Sequence, residues 1–207
     1  MPTSPEGHWE SVYRTKSPTE LSWYQPEARL SVDLIRRVAA DFDAPIIDVG
    51  GGASTLVDGL LDAGYRALTV LDLAPNALAL AQQRLGKRTG LVRWIAADVL
   101  TTPLPAGQYA VWHDRAVFHF LTNPRDRARY VAQTERAVRP GGHVMVATFG
   151  LDGPSRCSGL KVMRYSPEGM HAEFGASFEL LNSVREDHRT PSGIIQAFVY
   201  CLCRVGG

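Results

Sequence analysis

The chain of 207 residues is 45% hydrophobic, a length and composition that suit one sizeable core and hence a single domain. Its 22 lysines and arginines balance 21 aspartates and glutamates, and the net charge of +1 excludes a bulk electrostatic argument for nucleic acid or an anionic membrane as partner. We expect a cytoplasmic protein, because no apolar run approaches the roughly 18 residues of a membrane span, the N-terminus lacks a signal-peptide layout, and an odd number of cysteines fits a reducing compartment.

Short apolar strands alternate with helical patterns along the chain. The first pattern is an amphipathic helix over residues 26–42. The elements that follow are a strand at 44–50, a helix at 53–64, a strand at 66–73, a helix at 75–86, strands at 91–98 and 109–114, a helix capped by Asn123, and a strand at 143–150. Because parallel strands covered on both faces are near-continuous apolar runs, this alternation predicts a doubly wound α/β sheet.

The end of the chain breaks the alternation. After a predicted loop over residues 151–165 and a short helix that starts at Ser166, two strand-like runs occupy residues 177–187 and 194–205. The connection between them, HRTPSG, is too short for a crossover helix. The two strands are therefore expected to pair antiparallel.

Three consecutive glycines follow the first predicted strand, in IIDVGGGAST. A ligand-free turn rarely needs three glycines, so we expect Gly50–Gly52 to let the backbone approach a ligand at the carboxyl end of the sheet. Asp72 ends the second strand 20 residues after Gly52, where a carboxylate can accept from ribose hydroxyls. The dinucleotide fingerprint is only partial, because Thr55 stands in place of its third glycine. Asp98 closes the third strand and could accept from an adenine amine.

Five segments resemble the motifs of the class I S-adenosylmethionine-dependent methyltransferases, over roughly residues 20–205. They are IIDVGGGAS, VLDLAPNAL, WIAADVL, YAVWHDRAVFHFL and RAVRPGGHVMVATF. The resemblance implies a Rossmann-like doubly wound sheet of seven strands, mostly parallel with a C-terminal antiparallel hairpin, and S-adenosyl-L-methionine as cofactor. The cofactor-binding residues that it implies are Trp23, Asp48, Gly50, Gly51, Gly52, Asp72, Leu73, Asp98, Val99 and His113. One departure is Ala74, where the family usually has a serine that caps the next helix.

The N-terminal segment HWESVYRTKSPTELSWYQPE has a narrower resemblance to the thiopurine and tellurite-resistance methyltransferases. It implies an aromatic lid in which Trp23 and Tyr24 cover the cofactor, and aromatic faces suit a sulfonium cation. The alternative is that these aromatics anchor the N-terminus to the core. We expect residues 1–43 to form this lid and a helix, and residues 44–207 to form the cofactor-binding core.

Methyl transfer from a sulfonium is an in-line displacement that needs position and dehydration, and a base only if the nucleophile arrives protonated. The resemblance places His113 and Asp114 at the end of the fourth strand, near the transferring methyl group, and either could be the base. Tyr24, His119 and Arg156 are candidates for acceptor binding. No Cys or His cluster has metal-ligand spacing, so no metal is expected.

The acceptor is open among three functions. The first is methylation of a small molecule, with a thiol or a metalloid or chalcogen nucleophile favoured by the lid resemblance and by the lack of an obvious strong base. The second is protein lysine N-methylation, and the third is a non-catalytic module that binds the cofactor. Nucleic acid is disfavoured because the fourth strand is followed by HDRA rather than by a base-holding N-P-P-Y or D-P-P-Y motif.

Overall fold

Nine strands are present in the computed structural model, which describes residues 4–206. They are β1 (Ile46–Val49), β2 (Leu68–Asp72), β3 (Val92–Ala96), β4 (Tyr109–Arg115), β5 (Val138–Phe149), β6 (Arg156–Cys157), β7 (Leu160–Lys161), β8 (Phe178–Arg189) and β9 (Ile195–Val205). Seven of them form one sheet in the order β3-β2-β1-β4-β5-β9-β8, and β6 pairs with β7 in a separate small hairpin. The predicted sheet of seven strands is therefore confirmed.

The centre of the sheet is parallel. Strand β1 lies between β2 and β4 and pairs parallel with both, and every residue of β1 and β2 is buried. Strand β9 pairs antiparallel with β5 and with β8, so it is inserted between them. The predicted C-terminal hairpin is confirmed, and the continuous burial explains why the central strands have no alternating pattern.

Within residues 4–206, six α-helices accompany the sheet: α1 (Pro5–Thr15), α2 (Arg29–Val38), α3 (Leu56–Asp62), α4 (Pro75–Leu85), α5 (Pro124–Ala137) and α6 (Pro167–Phe174). Helix α1 was not predicted as a helix. Helix α2 is shorter than the predicted span of 26–42, and α3 begins at Leu56 rather than at residue 53. The reason for the second difference is that residues 50–55 form the glycine turn before the helix starts.

Two further boundaries differ from the predictions. Strand β5 begins at Val138 rather than at residue 143, directly after α5 ends at Ala137. The segment predicted as a loop at 151–165 contains β6 and β7, which are too short to give a periodic sequence pattern.

Two apolar clusters lie on opposite faces of the sheet. One combines residues of α2 and α3, such as Ile35 and Leu56, with Ile46 of β1. The other combines Tyr130 of α5 with Ile47 of β1. Because Ile46 and Ile47 are adjacent and point to opposite faces, the sheet is covered on both sides, as a doubly wound fold requires.

Helix α2 lies in the first 43 residues and shares its cluster with the sheet. The predicted division into an N-terminal segment, 1–43, and a cofactor-binding core, 44–207, stays a prediction. Residues 1–3 of the first segment and residue 207 of the second lie outside the described residues. Across residues 4–206, no helix is both long enough and apolar enough to cross a membrane.

Candidate functional site

A cavity of about 370 Å³ opens at the carboxyl ends of β1, β2 and β4. Its walls come from the glycine turn, the ends of β2 and β3, the end of β4, helix α1, the segment around Trp23 and the β6–β7 hairpin. Residues on these walls include Trp9, Tyr13, Trp23, Gly50, Asp72, Leu73, Asp98, Val99, Arg115, Phe120, Asp126, Cys157 and Leu160. This is the edge where open α/β sheets bind ligands.

The glycine turn is crowded by the protein itself. A Cβ on Gly50 would lie 2.0 Å from Val117 Cγ2, and the backbone of Gly50 has a φ of 67°. A Cβ on Gly51 would lie 2.5 Å from Asp48 Oδ2. These positions therefore need glycine even before a ligand binds. Three consecutive glycines do not by themselves indicate a bound ligand here.

Asp72 presents a buried carboxyl group to the cavity. Its Oδ1 accepts a hydrogen bond of 2.8 Å from the backbone N–H of Ala74. Burial raises its pKa to about 7, and the charges of Asp48 and Glu10 act in the same direction, against the backbone hydrogen bonds. Such a carboxyl has acceptor capacity left for a ligand that donates hydrogen bonds.

Helix α1 replaces the cap that Ala74 cannot supply. Ala74 is the N-cap of α4 and makes no side-chain hydrogen bond there. Instead, Glu10 of α1 accepts a hydrogen bond of 2.9 Å from the backbone N–H of Asn76, and it also accepts from the Asn76 side chain. The negative charge lies at the positive end of α4, so this contact anchors α1 next to Asp72.

Asp98 and Val99 line the cavity beyond Asp72, together with Leu73. Asp98 Oδ1 accepts a hydrogen bond of 2.8 Å from the backbone N–H of Leu100, which fixes the carboxylate after β3. The structure thus brings Gly50, Asp72, Leu73, Asp98 and Val99 to one cavity, as the sequence predicted.

Aromatic rings close the cavity from the N-terminal side. The Trp9 ring lies 5.8 Å from that of Trp23 and 5.0 Å from that of Phe120, and the Tyr13 ring lies 6.4 Å from that of Trp23, all edge to face. Tyr24 instead lines a smaller neighbouring cavity of about 40 Å³ beside Gly50. These rings exclude water from the cavity wall.

The comparisons with known proteins agree with this geometry. A family model described as a methyltransferase domain matches residues 46–142. The chain is similar to methyltransferases over this segment, which is just under half of its length and contains the glycine turn, Asp72 and Asp98. The solved 1,6-didemethyltoxoflavin-N1-methyltransferase of Burkholderia thailandensis, bound to its substrate and S-adenosylhomocysteine, shares the fold of the whole chain with a TM-score of 0.68 and 20% identity, over 98% of this chain and 84% of that one.

Other relatives differ in what they methylate. A 3-hydroxy-5-methyl-1-naphthoate 3-O-methyltransferase of Streptomyces sahachiroi is 29% identical over 72% of this chain, and an eEF1A lysine and N-terminal methyltransferase of Danio rerio is 25% identical over 70%. The matches span only 40% and 21% of those two proteins. A structure from work on the conversion of a disulfide bond into a thioacetal group during echinomycin biosynthesis has a TM-score of 0.76 at 18% identity, over 98% of this chain and 93% of that one.

The predicted base His113 lies beneath the cavity rather than in its wall. His113 is buried, with Nδ1 2.8 Å from Asp48 Oδ1 and Nε2 2.9 Å from Ser31 Oγ of α2. Neither His113 nor Asp48 lines the cavity. Their contacts support the glycine turn from below, so the structure does not bring them into reach of a bound ligand.

The other predicted base, Asp114, faces away from the cavity as well. It is fully buried and accepts hydrogen bonds from the backbone N–H groups of Val117 and Phe118, at 2.9 and 3.0 Å, and from the Tyr130 hydroxyl at 2.5 Å. Burial raises the pKa of Asp114 to about 6, and the Tyr130 hydrogen bond opposes that rise. Its oxygens are used to hold the turn after β4, which is a structural role.

The predicted acceptor-binding residues His119 and Arg156 do not line the cavity either. His119 is fully buried with its ring 4.4 Å from that of Phe120, and burial lowers its pKa to about 3. Arg156 is exposed and donates to the carbonyl of Gly159 at 2.8 Å. Its neighbour Cys157 lines the cavity instead, and burial raises the pKa of that thiol to about 11.

The sequence placed Arg115 near the carboxyl edge of the sheet without a predicted role, and the structure shows that it lines both the main and the smaller cavity. It follows His113 and Asp114 at the end of β4. Because successive residues of a strand point to opposite faces, His113 and Arg115 share one face of β4 and Asp114 lies on the other. Which of them reaches the cavity depends on packing that the sequence does not reveal. Among residues 4–206, no cluster of His, Cys, Asp or Glu could hold a metal ion.

Proposed function

We propose that this chain transfers a methyl group from S-adenosyl-L-methionine to a small-molecule acceptor. The observation that carries the proposal is that Asp72, Asp98 and the glycine turn surround one cavity that aromatic rings close. The cavity volume of about 370 Å³ lies in the range of small-ligand sites. S-Adenosylmethionine supplies the electrophilic methyl group when bound.

The residues of the cavity suit the parts of that cofactor. Asp72 would accept from the ribose hydroxyls, Leu73 and Val99 would lie against the adenine, and Asp98 would accept from its amine. The turn at Gly50 would border the methionine part, and the face of Trp23 suits a sulfonium.

Two of the protic groups that line the cavity, the Tyr13 hydroxyl and the Cys157 thiol, are not bases. Burial raises the pKa of Tyr13 far above its ordinary value and that of Cys157 to about 11, so both are protonated at neutral pH. Asp114 and His113 are outside the cavity. The protein would therefore contribute position and exclusion of water, while the acceptor supplies its own lone pair.

A soft nucleophile meets this requirement best. A thiol with a pKa of about 8.5 is partly ionised at neutral pH without a base, and a metalloid or chalcogen acceptor would likewise need none. The structural similarity to a protein from work on the conversion of a disulfide bond into a thioacetal group supports a sulfur atom as the methyl acceptor. The likeness to a relative named as a lysine and N-terminal methyltransferase supports protein methylation as the alternative.

Transfer of a tritiated methyl group to cell extract tests the proposal. The expected result is label in the small-molecule fraction, lost in Asp72→Asn but retained in Asp126→Asn, a matched change at the edge of the same cavity. Label confined to protein would establish the lysine alternative. Absence of label from a protein that binds S-adenosylhomocysteine in calorimetry would indicate a non-catalytic module.

A further inference from the structure

Arg115 is the one arginine or lysine that lines the main cavity formed by residues 4–206. Each of its nitrogens has a partner in the protein. Nε donates to the Tyr200 hydroxyl at 2.8 Å, Nη1 to the carbonyl of Trp23 at 3.1 Å, and Nη2 to Glu186 Oε2 at 3.2 Å. The guanidinium also lies 4.1 Å from the centre of the Phe198 ring. Three of its five N–H donors hold the C-terminal strands and the aromatic wall together, so the guanidinium is fixed in place.

Glu186 neutralises this cation in a buried ion pair. The side chains of Arg115 and Glu186 are 9% and 18% exposed. Glu186 also accepts from the Tyr200 hydroxyl at 3.0 Å and from Gln25 Nε2 at 2.9 Å. Because solvent screens such a pair only weakly, the two charges cancel as seen from the cavity.

The remaining charged side chains on the cavity wall are acidic. They are Asp72, Asp98 and Asp126, and only the first two are used by the proposed cofactor. A carboxylate or phosphate on the acceptor would lose its water, meet no arginine or lysine that an acid has not already neutralised, and face Asp126. Burying an unpaired charge in this way is costly.

The acceptor end of the cavity is the part that the cofactor would leave free. Most of the side chains left for it are apolar, among them Trp9, Phe120 and Leu160, with the Cys157 thiol, and Asp126 is the one carboxylate on this wall that the cofactor does not use. The chemistry of this wall matches an apolar, flat molecule.

We propose that the Arg115–Glu186 ion pair makes the acceptor site prefer uncharged acceptors. The negative charge of Glu186 determines this preference. The acceptor carries no charge besides its nucleophile, such as an apolar aryl thiol, and metalloid oxyanions and carboxylate-bearing acceptors are rejected. This inference rests on the proposed function, because it concerns the acceptor of the same site.

Binding of two matched thiols, 4-methylbenzenethiol and 4-mercaptobenzoate, to the full chain loaded with S-adenosylhomocysteine tests the inference. The wild-type protein is expected to bind the methyl compound about ten-fold more tightly than the carboxylate. Glu186→Gln keeps one acceptor oxygen for Arg115 and Tyr200 but removes the negative charge that neutralises Arg115. It should tighten 4-mercaptobenzoate about ten-fold and leave 4-methylbenzenethiol unchanged.

Glu179→Gln is the matched control on the same strand. Glu179 pairs with Arg204 at 2.6 Å, and both side chains are more than half exposed, so its loss should leave the ratio of the two affinities at the wild-type value. Melting temperatures of both variants verify that they are folded. If Glu186→Gln does not fold, the ratio of the two thiol affinities in the wild-type protein still tests the inference.

Three results would overturn the inference: equal binding of the two thiols by the wild-type protein, an equal change for both in Glu186→Gln, or binding of neither. Failure of the proposed function is a different result. In that case both thiols show the expected ratio in binding, but neither is methylated when S-adenosylmethionine replaces S-adenosylhomocysteine.

Discussion

At the scale of single residues, the role proposed for Asp72 predicts that cofactor binding depends on pH. Burial raises the pKa of this carboxyl to about 7 in the unliganded protein. Ribose hydroxyls donate best to the ionised form, so binding must first remove the proton at low pH. We expect the dissociation constant for S-adenosylhomocysteine, measured by calorimetry, to be about ten-fold higher at pH 6 than at pH 8.

Glu10 provides the check on this prediction, because its charge contributes to the raised pKa of Asp72. Glu10→Gln can keep the hydrogen bond to Asn76 and should move the midpoint of the pH dependence to lower pH. Glu6→Gln, on the same helix, should leave it in place. An affinity that does not vary between pH 6 and pH 8 in the wild-type protein would contradict the role of Asp72.

The same carboxyl affects stability with a defined sign. Its pKa in the folded protein, about 7, is above the ordinary value of 3.8. The protonated form therefore favours folding, fully below about pH 4, and this contribution is lost as the pH rises through about 7. A bound cofactor offsets the loss by pairing with the ionised form.

Gly50 tests whether the turn needs glycine for packing as well as for backbone angle. Gly50→Ala puts a methyl group 2.0 Å from Val117 Cγ2 at a φ of 67°, whereas Gly86→Ala has the similar φ of 55° and open space. We expect Gly86→Ala to lower the free energy of unfolding by about 1 kcal/mol and Gly50→Ala by about 3 kcal/mol. Urea unfolding measures both, and equal losses would show that only the backbone angle matters.

At the scale of elements, Asp114, which was predicted as a catalytic base, takes part in a buried polar contact that joins β4 to α5. The Tyr130 hydroxyl donates to Asp114 at 2.5 Å and accepts from Trp112 Nε1 at 2.9 Å. Tyr130→Phe should lower the free energy of unfolding by about 1–3 kcal/mol, because a buried carboxylate and an indole each lose a partner.

The pH profile of turnover in Tyr130→Phe distinguishes a structural role of Asp114 from a role as catalytic base. If Asp114 only holds the turn after β4, the pH profile of turnover in Tyr130→Phe should match that of the wild-type protein. If Asp114 were the base, loss of the tyrosine that lowers its pKa should shift the acid limb of that profile upward. The profile, measured over the pH range in which both proteins remain folded, distinguishes these outcomes.

The order of elements followed from the sequence because buried strands and amphipathic helices leave patterns over 4–14 residues. The positions of Asp72 and Asp98 also followed, since they stand where strands end. The directions of His113 and Asp114 did not, because they depend on Ser31 of α2 and Tyr130 of α5. Such partners are distant in the chain, and no local pattern encodes them.

Helix α1 escaped prediction for a related reason. None of its residues is fully buried, so it has no strong apolar stripe that would mark it as a helix of the core. The two strands of the β6–β7 hairpin are two residues each, below the length at which alternation can be recognised. Both elements line the cavity, so the parts that shape the acceptor end were the least predictable.

At the scale of the whole molecule, the cavity is closed by an element that contributes little to the core. Helix α1 is held by the contact of Glu10 with the N-terminus of α4 and by the packing of Trp9 against Trp23 and Phe120. Because α1 has no fully buried residue, the seven-stranded sheet should tolerate its displacement. Closure of the cavity and stability of the fold should therefore be separable.

Glu10→Lys tests that separation. A lysine would place a positive charge at the positive end of α4 and remove the acceptor for Asn76, which should displace α1 from the cavity. We expect S-adenosylhomocysteine to dissociate about ten-fold faster, a change of about 1.4 kcal/mol. The melting temperature of the unliganded protein should fall by no more than about 4 °C, as a loss near 1 kcal/mol predicts.

Stopped-flow tryptophan fluorescence follows the dissociation, since Trp9 and Trp23 line the cavity. Glu6→Lys, an equal charge reversal on α1, should dissociate at the wild-type rate, and equal rates in the two variants would show that α1 does not close the cavity through Glu10.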